Sequence, residues 1–258
     1  LAVSLALFVV MALARWLGER WWLPGAAILV AIAAAFLLVA PYLESETEPL
    51  ADAELVAAAD DYREQLGLGE LPVRVLEVAE DTRQANAYAI GIGPTRRVVL
   101  WDTVLRDPFQ AAERRAILAH ELAHHARGHL LEGIGWFAVF AVPGAWLLMR
   151  ATRRRGGMGE PRAVPLALLV VVCLELVAAP ATNLVSRRME IEADWTALEV
   201  TRDPAALEGL MLGLSRTSLG DPTPPRWVQL LAGTHPSLAD RVALARAWAA
   251  REGGLRHR

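Results

Sequence analysis

Apolar residues fall in four long runs rather than alternating with polar ones. Leu1 to Ala14 is short for a full crossing. Trp22 to Leu43 carries no charge and is long enough for a hydrocarbon layer of roughly 30 Å. Leu130 to Met149 follows, with Trp136 and Trp146 near its ends as interface anchors. Ala163 to Val185 is the fourth. The later three are near-continuous rather than one-sided, which predicts membrane spans and not the core helices of a large soluble protein.

Two polar stretches separate the runs. The first, Glu44 to His129, opens with the acidic linker Glu44 to Glu48. A helix is predicted over Ala51 to Leu66, stopped by Gly67 and Gly69. Short runs with strand character follow at Val73 to Val78, Ala87 to Ile92 and Arg97 to Trp101, the last two joined by Gly93-Pro94-Thr95. Asp107-Pro108 then reads as the cap of a long helix reaching Gly128. The second stretch, Ser186 to Arg258, predicts three helices: one carrying Glu190 to Val200, one after Asp203-Pro204 and one near His235-Pro236. Pro222 to Pro225 marks a loop between the last two. The pattern predicts a mainly α integral membrane protein with a small β-sheet. Residues 1–43 are N-terminal transmembrane segments, 44–129 and 186–258 two polar halves, and 130–185 a transmembrane hairpin. Because two spans separate the halves, both emerge on one side of the membrane and can build one site.

Composition supports this division. Of 258 residues 54% are hydrophobic, and mean hydropathy is +0.30, too apolar for an ordinary soluble domain. The net charge of -3 gives no reason to expect a nucleic-acid partner. All the basic side chains are Arg. The single cysteine, Cys173, excludes an internal disulfide and a Cys-based zinc site, and its apolar surroundings predict a packing role. Leu1 opens inside an apolar run, so the N-terminus reads as truncated, with room for further spans ahead of it.

The strongest chemical signal is His120-Glu121-Leu122-Ala123-His124. On a helix, positions i and i+4 share a face, so both imidazoles can bind one ion. Glu121 is placed to accept a proton from water that the ion acidifies. The motif lies within Glu113 to Gly128, which has helix formers and no internal Gly or Pro. A catalytic zinc needs a third protein ligand. The best candidate is Glu190 of Glu190-Ile191-Glu192-Ala193-Asp194, with Asp194 one turn on, where it can hydrogen-bond a ligating imidazole. Glu192 points about 200° away and reads as solvated. From spacing alone all three could equally be surface carboxylates.

The combination resembles the zinc-dependent CAAX prenyl protease family and related bacterial membrane zinc proteases. There an HExxH is followed by two spans and then by ExxxD, the order found here. Asn86 to Gly93, Arg96 to Thr103, and Thr234 to Ser237 with Arg241 are also similar to family segments. The resemblance implies a zincin-like α+β catalytic domain of gluzincin type, split by the transmembrane hairpin. It implies one Zn2+ on His120, His124 and Glu190, Glu121 as general base, and Asp194 behind the ligands. The family's prenyl-protease members carry more N-terminal spans than this chain.

Beyond the motif, the strand at Asn86, Ala87 and Tyr88 is a candidate substrate-binding edge to which a peptide could add by main-chain hydrogen bonds, with an ordinary internal hairpin as the competing reading. His235 is a candidate catalytic residue, polarising a substrate carbonyl or covering the open metal position; a structural helix-start histidine is the competing reading. Arg241 could pair with a carboxylate of the site such as Asp194, or simply face water. His125 lies about 100° from His124 around the helix, and His129, nine residues from His120, falls on the opposite face, so both read as packing residues. Glu175 sits mid-span, a costly position that marks a functional candidate by default.

The expected function is hydrolysis of peptide bonds in membrane-associated or unfolded proteins, with peptide substrates and the lipid bilayer as partners, in a bacterial cell membrane. The alternative is a catalytically silent scaffold or chaperone retaining a structural zinc, although such a protein would be expected to lose Glu121 first. Arg15, Arg20, Arg150, Arg153, Arg154, Arg155 and Arg162 lie on the face opposite the polar halves. The positive-inside rule puts those arginines in the cytoplasm, whereas the resembled family is usually drawn with its site facing the cytoplasm. Arg114, Arg115, Arg127, Arg187 and Arg188 on the other side reduce the contrast. The side of the catalytic domain is left open by these opposed signals.

Overall fold

The computed structural model describes residues 2–44 and 46–255. It is mainly helical with a small mixed sheet, and its chain divides into two compact units. The first comprises Leu1–Phe36 and Leu131–Thr182, the second Leu37–Leu130 and Asn183–Arg258.

The first unit holds most of the apolar helices. These are α1 (Ala2–Leu17), α2 (Trp22–Leu43), α5 (His129–Thr152) and the first half of α6 (Val164–Thr201). Among the described residues three stretches are long and apolar enough to cross a membrane: Leu7–Leu43, His129–Arg155 and Pro161–Thr201. The first joins α1 and α2 through a 3-10 turn at Gly18–Trp21. Phe8, Phe36, Val139, Leu169 and Val177 are all exposed. In water this would be a large unfavourable surface; in a hydrocarbon layer it is the ordinary outer face of a span. Ala14, Trp21, Met149, Met158 and Ala167 form the small internal cluster. Arg153 pairs with Glu19 at 2.6 Å, and Arg15 Nε donates to the Gly159 carbonyl at 2.9 Å. Cys173 is exposed, contrary to the packing role expected of it, because its position on α6 faces outward. Glu175 also faces outward.

The second unit contains the sheet. Its strands β1 (Thr47–Pro49), β2 (Val73–Leu76), β3 (Ala87–Ile90) and β4 (Arg97–Trp101) lie in the order β1-β2-β4-β3. β2 and β4 are parallel, and the other pairs are antiparallel. The stretch expected to be an acidic linker thus supplies β1, where Glu48 stands opposite Val75. Glu44 and Glu46 just before it and Glu48 within it hid its strand character, which comes from pairing with β2. β3 is an edge strand. The Trp101 amide donates to the Asn86 carbonyl, so the alternation of an antiparallel ladder turns the main-chain groups of Ala87 and Ala89 to the open side.

Helix α3 (Ala53–Leu66) starts where the Asp52 carboxylate accepts from the Glu54 and Leu55 amides, and stops at Gly67 with φ +65°. Helix α4 (Ala111–Arg127) begins later than Asp107-Pro108 suggested. Gln110 is its cap, with the Gln110 amide donating to Glu113 Oε2 at 3.0 Å. One face of α4, through Leu118, Ala119 and Leu122, packs on Val98 and Leu100 of β4 and on Leu55, Ala59 and Tyr62 of α3. Ala116 and Ile117 pack in a second cluster with Phe109, Leu198 of α6, Leu207, Leu210 and Met211 of α7 (Pro204–Ser218), and Ala245 and Trp248 of α9 (Leu238–Leu255). The short α8 (Arg226–Leu231) lies between α7 and α9 in the chain.

The fourth apolar run and the Glu190 helix are one element, the 38-residue α6. Nothing after Pro180 stops it, since residues 181–201 contain neither Gly nor Pro. Packing of the second cluster is tight at α7. A Cβ on Gly213 would lie 2.5 Å from Phe109 Cε1, and Phe109 is 1% exposed. Relief of helical glycine is worth about 0.5–1 kcal/mol, whereas forcing an extra methyl into a closed core costs about 1–3 kcal/mol. Gly213→Ala is therefore expected to lower the melting temperature of detergent-solubilised protein; an unchanged or raised value would show that Phe109 moves freely.

Candidate metal centre

Helix α4 carries His120 and His124 on one face, and α6 brings Glu190 to it. His120 Nε2 and His124 Nε2 are 3.2 Å apart. Glu190 Oε2 is 3.4 Å from His120 Nε2, and Glu190 Oε1 is 3.5 Å from His124 Nε2. Ligand atoms around a tetrahedral zinc with bonds of 2.0–2.1 Å stand roughly 3.3 Å apart. The three donors therefore fit one ion of that size, and two imidazoles with a carboxylate are a donor set zinc accepts.

A buried ion pair stands behind this triangle. Asp194 is fully buried, and Arg241 of α9 clasps it through two hydrogen bonds of 2.7 and 2.6 Å. Asp194 Oδ1 also lies 2.9 Å from His120 Nδ1, holding the ring with Nε2 toward the centre. The Arg241–Asp194 pairing suggested by the sequence is the observed geometry. Burial works against a charge on His120, but hydrogen bonds to Asp194 and Glu190 outweigh it and raise its pKa to about 10. For His124 burial and the neighbouring His120 act together and lower the pKa to about 3.

Glu121 is buried beside the triangle. Burial is the main cause of its raised pKa, with Glu190 adding and His120, Arg241 and the Ala89 amide opposing. The Ala89 contact places the carboxylate against the open edge of β3. A cleft of about 360 Å³ runs alongside, lined by Asn86, Ala87, His120, Glu121, Glu190 and His235 among others. Tyr88 is not among its lining residues. Side chains alternate along a strand, and Tyr88 faces Glu44 and Trp101 instead, its pKa raised by burial and by the Glu44 charge. Asn86 and Ala87 thus line the cleft, and Tyr88 does not.

His235 follows α8. Its Nδ1 is 2.8 Å from Glu190 Oε2. His125 is buried, with Nε2 3.0 Å from the Arg97 carbonyl, tying α4 to β4. His129 departs from expectation. Gly128, at φ +70°, ends α4, and α5 begins at His129. Helical phase counted from His120 therefore fails, and His129 Nδ1 comes within 3.0 Å of His124 Nδ1. His129 Nε2 lies 3.5 Å from Glu192, which also pairs with Arg188 at 2.7 Å, so Glu192 is engaged and not simply solvated. The Gly128 stop signal was in the sequence and marks where the phase resets.

The model of peptidase family M48 matches residues 49–249. The chain belongs to that family. This M48 chain is 28% identical to the uncharacterized metalloprotease YhfN of Bacillus subtilis over 238 residues, 87% of this chain and 56% of that protein. It is 30% identical to a protease HtpX homolog of Methylibium petroleiphilum over 202 residues, 70% of each chain. The crystal structure of S. mikatae Ste24p has the same fold, with TM-score 0.78 at 19% identity, over 95% of this chain and 62% of that one. The M48 chain thus spans rather more than half the length of the first of these relatives and of the solved chain. The order HExxH, two spans, ExxxD had pointed to this group of membrane zinc metallopeptidases, and to its fold.

Proposed function

We propose that this chain is a zinc-dependent endopeptidase of a bacterial cell membrane, cleaving peptide bonds of membrane-associated or unfolded proteins. His120, His124 and Glu190 are the ligands, and Glu121 is the general base. The polar halves 44–129 and 186–258 make one catalytic domain around the hairpin 130–185. The observation that carries this reading is the ligand triangle, of zinc-sized edges, with the buried Glu121 carboxylate between it and an open strand edge.

Zinc bound there would acidify a coordinated water and polarise the scissile carbonyl. The protein's own part is positional. Asp194 and Arg241 fix His120, and His129 fixes His124. Burial keeps the Glu121 carboxylate a stronger base than one in water, suited to take a proton from water and deliver it to the leaving amine. A peptide added along the β3 edge is held through its main chain at Ala87 and at the Ala89 carbonyl, which supports broad sequence tolerance. His235, with its side chain 63% exposed, is placed to meet a substrate carbonyl as it arrives at Glu190. A prenylated C-terminal tail and a misfolded membrane protein would both present an extended segment to this edge.

The test is cleavage of casein or a quenched fluorogenic peptide by purified protein, with metal content measured in parallel. A chelator should remove zinc and cleavage together, and added zinc should restore both. Cleavage that persists after the metal is gone would overturn the reading.

A further inference from the structure

Helix α8 has six residues, Arg226–Leu231. At 100° per residue its Trp227, Leu230 and Leu231 share an arc of about 100°, and Gln229 points about 150° from the middle of that arc. The three apolar side chains are 67%, 48% and 48% exposed. So short a helix has little packing of its own. It is held from α6 instead: Arg187 donates to the Gln229 and Gly233 carbonyls, each at 2.7 Å, and the buried Asn183 donates to the Leu230 carbonyl at 3.2 Å.

The position of these anchors decides what covers the apolar face. Asn183 and Arg187 occupy the turn where α6 leaves its apolar run, so α8 is fixed at the height of the membrane–water boundary. Leu184, at the same level of α6, is 64% exposed. Trp beside Arg, with leucines on the same face, is the side-chain set that partitions into that boundary, the ring among headgroups and the guanidinium toward phosphate. Arg187, Arg188 and Arg226 add positive charge at this level, which anionic headgroups attract.

We propose that α8 is an interfacial anchor whose Trp227, Leu230 and Leu231 insert into the bilayer surface beside the mouth of the cleft. Its opposite face reaches the metal centre. Gln229 lines the cleft and donates to the His235 carbonyl at 2.5 Å, and His235 meets Glu190 at 2.8 Å. The bilayer thereby supports one wall of the cleft, which opens at the level of the lipid surface. The inference rests on α6 crossing the bilayer and not on peptide hydrolysis.

The test uses full-length Cys173→Ser protein with Leu230→Cys or Leu231→Cys, each labelled with an environment-sensitive fluorophore. The labelled protein is reconstituted in vesicles of phosphatidylcholine and phosphatidylglycerol containing doxyl-labelled phospholipid. Glu64→Cys, on the exposed side of α3, is the aqueous control. Probes at 230 and 231 should emit to the blue of the probe at 64 and be quenched, most by the doxyl group nearest the headgroups. Emission as red as the control with no lipid quenching would overturn the proposal. So would a blue shift that vanishes when the protein-to-lipid ratio is lowered, since the cover would then be a second chain. A second arm concerns the cleft. Leu230→Glu with Leu231→Glu should slow cleavage of a bilayer-tethered peptide and leave the same free peptide unaffected. Equal rates on both would remove the link to the cleft. Absence of cleavage from the parent protein would count against the peptidase reading alone, with lipid quenching still deciding the anchor.

Discussion

Glu121→Gln is expected to reduce peptide cleavage by about 10²–10⁴-fold, the span of a positioned general base, while zinc content stays that of the parent. The amide has the shape of the carboxylate and keeps an oxygen for the Ala89 amide that now donates to Glu121. Glu121 is not one of the three donors at the centre, so the ligand triangle loses nothing. What disappears is a basic oxygen whose proton affinity burial has raised. Metal analysis and peptide cleavage on the same preparation separate the outcomes. Full cleavage in the variant would sink the assignment of the base. Zinc retained with no cleavage in parent or variant would favour a membrane scaffold with a structural metal.

Glu190→Ala is the second large effect, and it acts on the metal itself. It removes the donor that closes both the 3.4 Å and the 3.5 Å edge and leaves two imidazoles 3.2 Å apart. It also deprives His235 of its 2.8 Å partner. Zinc affinity should fall by more than the about 10–100-fold that follows loss of a group behind the ligands, and activity should fall with it. Glu192→Ala is the informative control. Glu192 touches His129, which touches His124, so its removal should cost no more than that outer-partner range. Competition for zinc against a chromogenic chelator reads both. Equal losses would show that the wrong carboxylate had been chosen.

The contrast between these two carboxylates shows what was legible in the chain. The HExxH and ExxxD patterns rest on one helical period, so the pairings of His120 with His124 and Glu190 with Asp194 could be read directly. Their convergence could be argued from connectivity, because two intervening spans return the chain to one side. Arg241 on Asp194 follows from charge complementarity, and burial makes it a close clasp. Three things were not legible. β1 carries two charges in its four-residue neighbourhood and exists only because β2 offers it a partner. α6 was divided where its composition changes, although polarity changes solvent and does not break a helix. His129 was placed by extending a helical phase across Gly128, the residue that terminates it. In each case a local pattern of polarity or phase does not coincide with the boundary that pairing or a glycine stop sets.

The continuity of α6 has a further consequence. A rigid helix rises about 1.5 Å per residue, so Glu190 stands about 7.5 Å along the axis from Val185, where the apolar run stops. No loop intervenes to vary that height. One continuous helix thereby carries both the end of the apolar run and Glu190. An extended chain advances about 3.3–3.6 Å per residue, so for the peptidase proposed above a membrane-tethered substrate would be cut a few residues from its membrane exit, by distance and not by sequence.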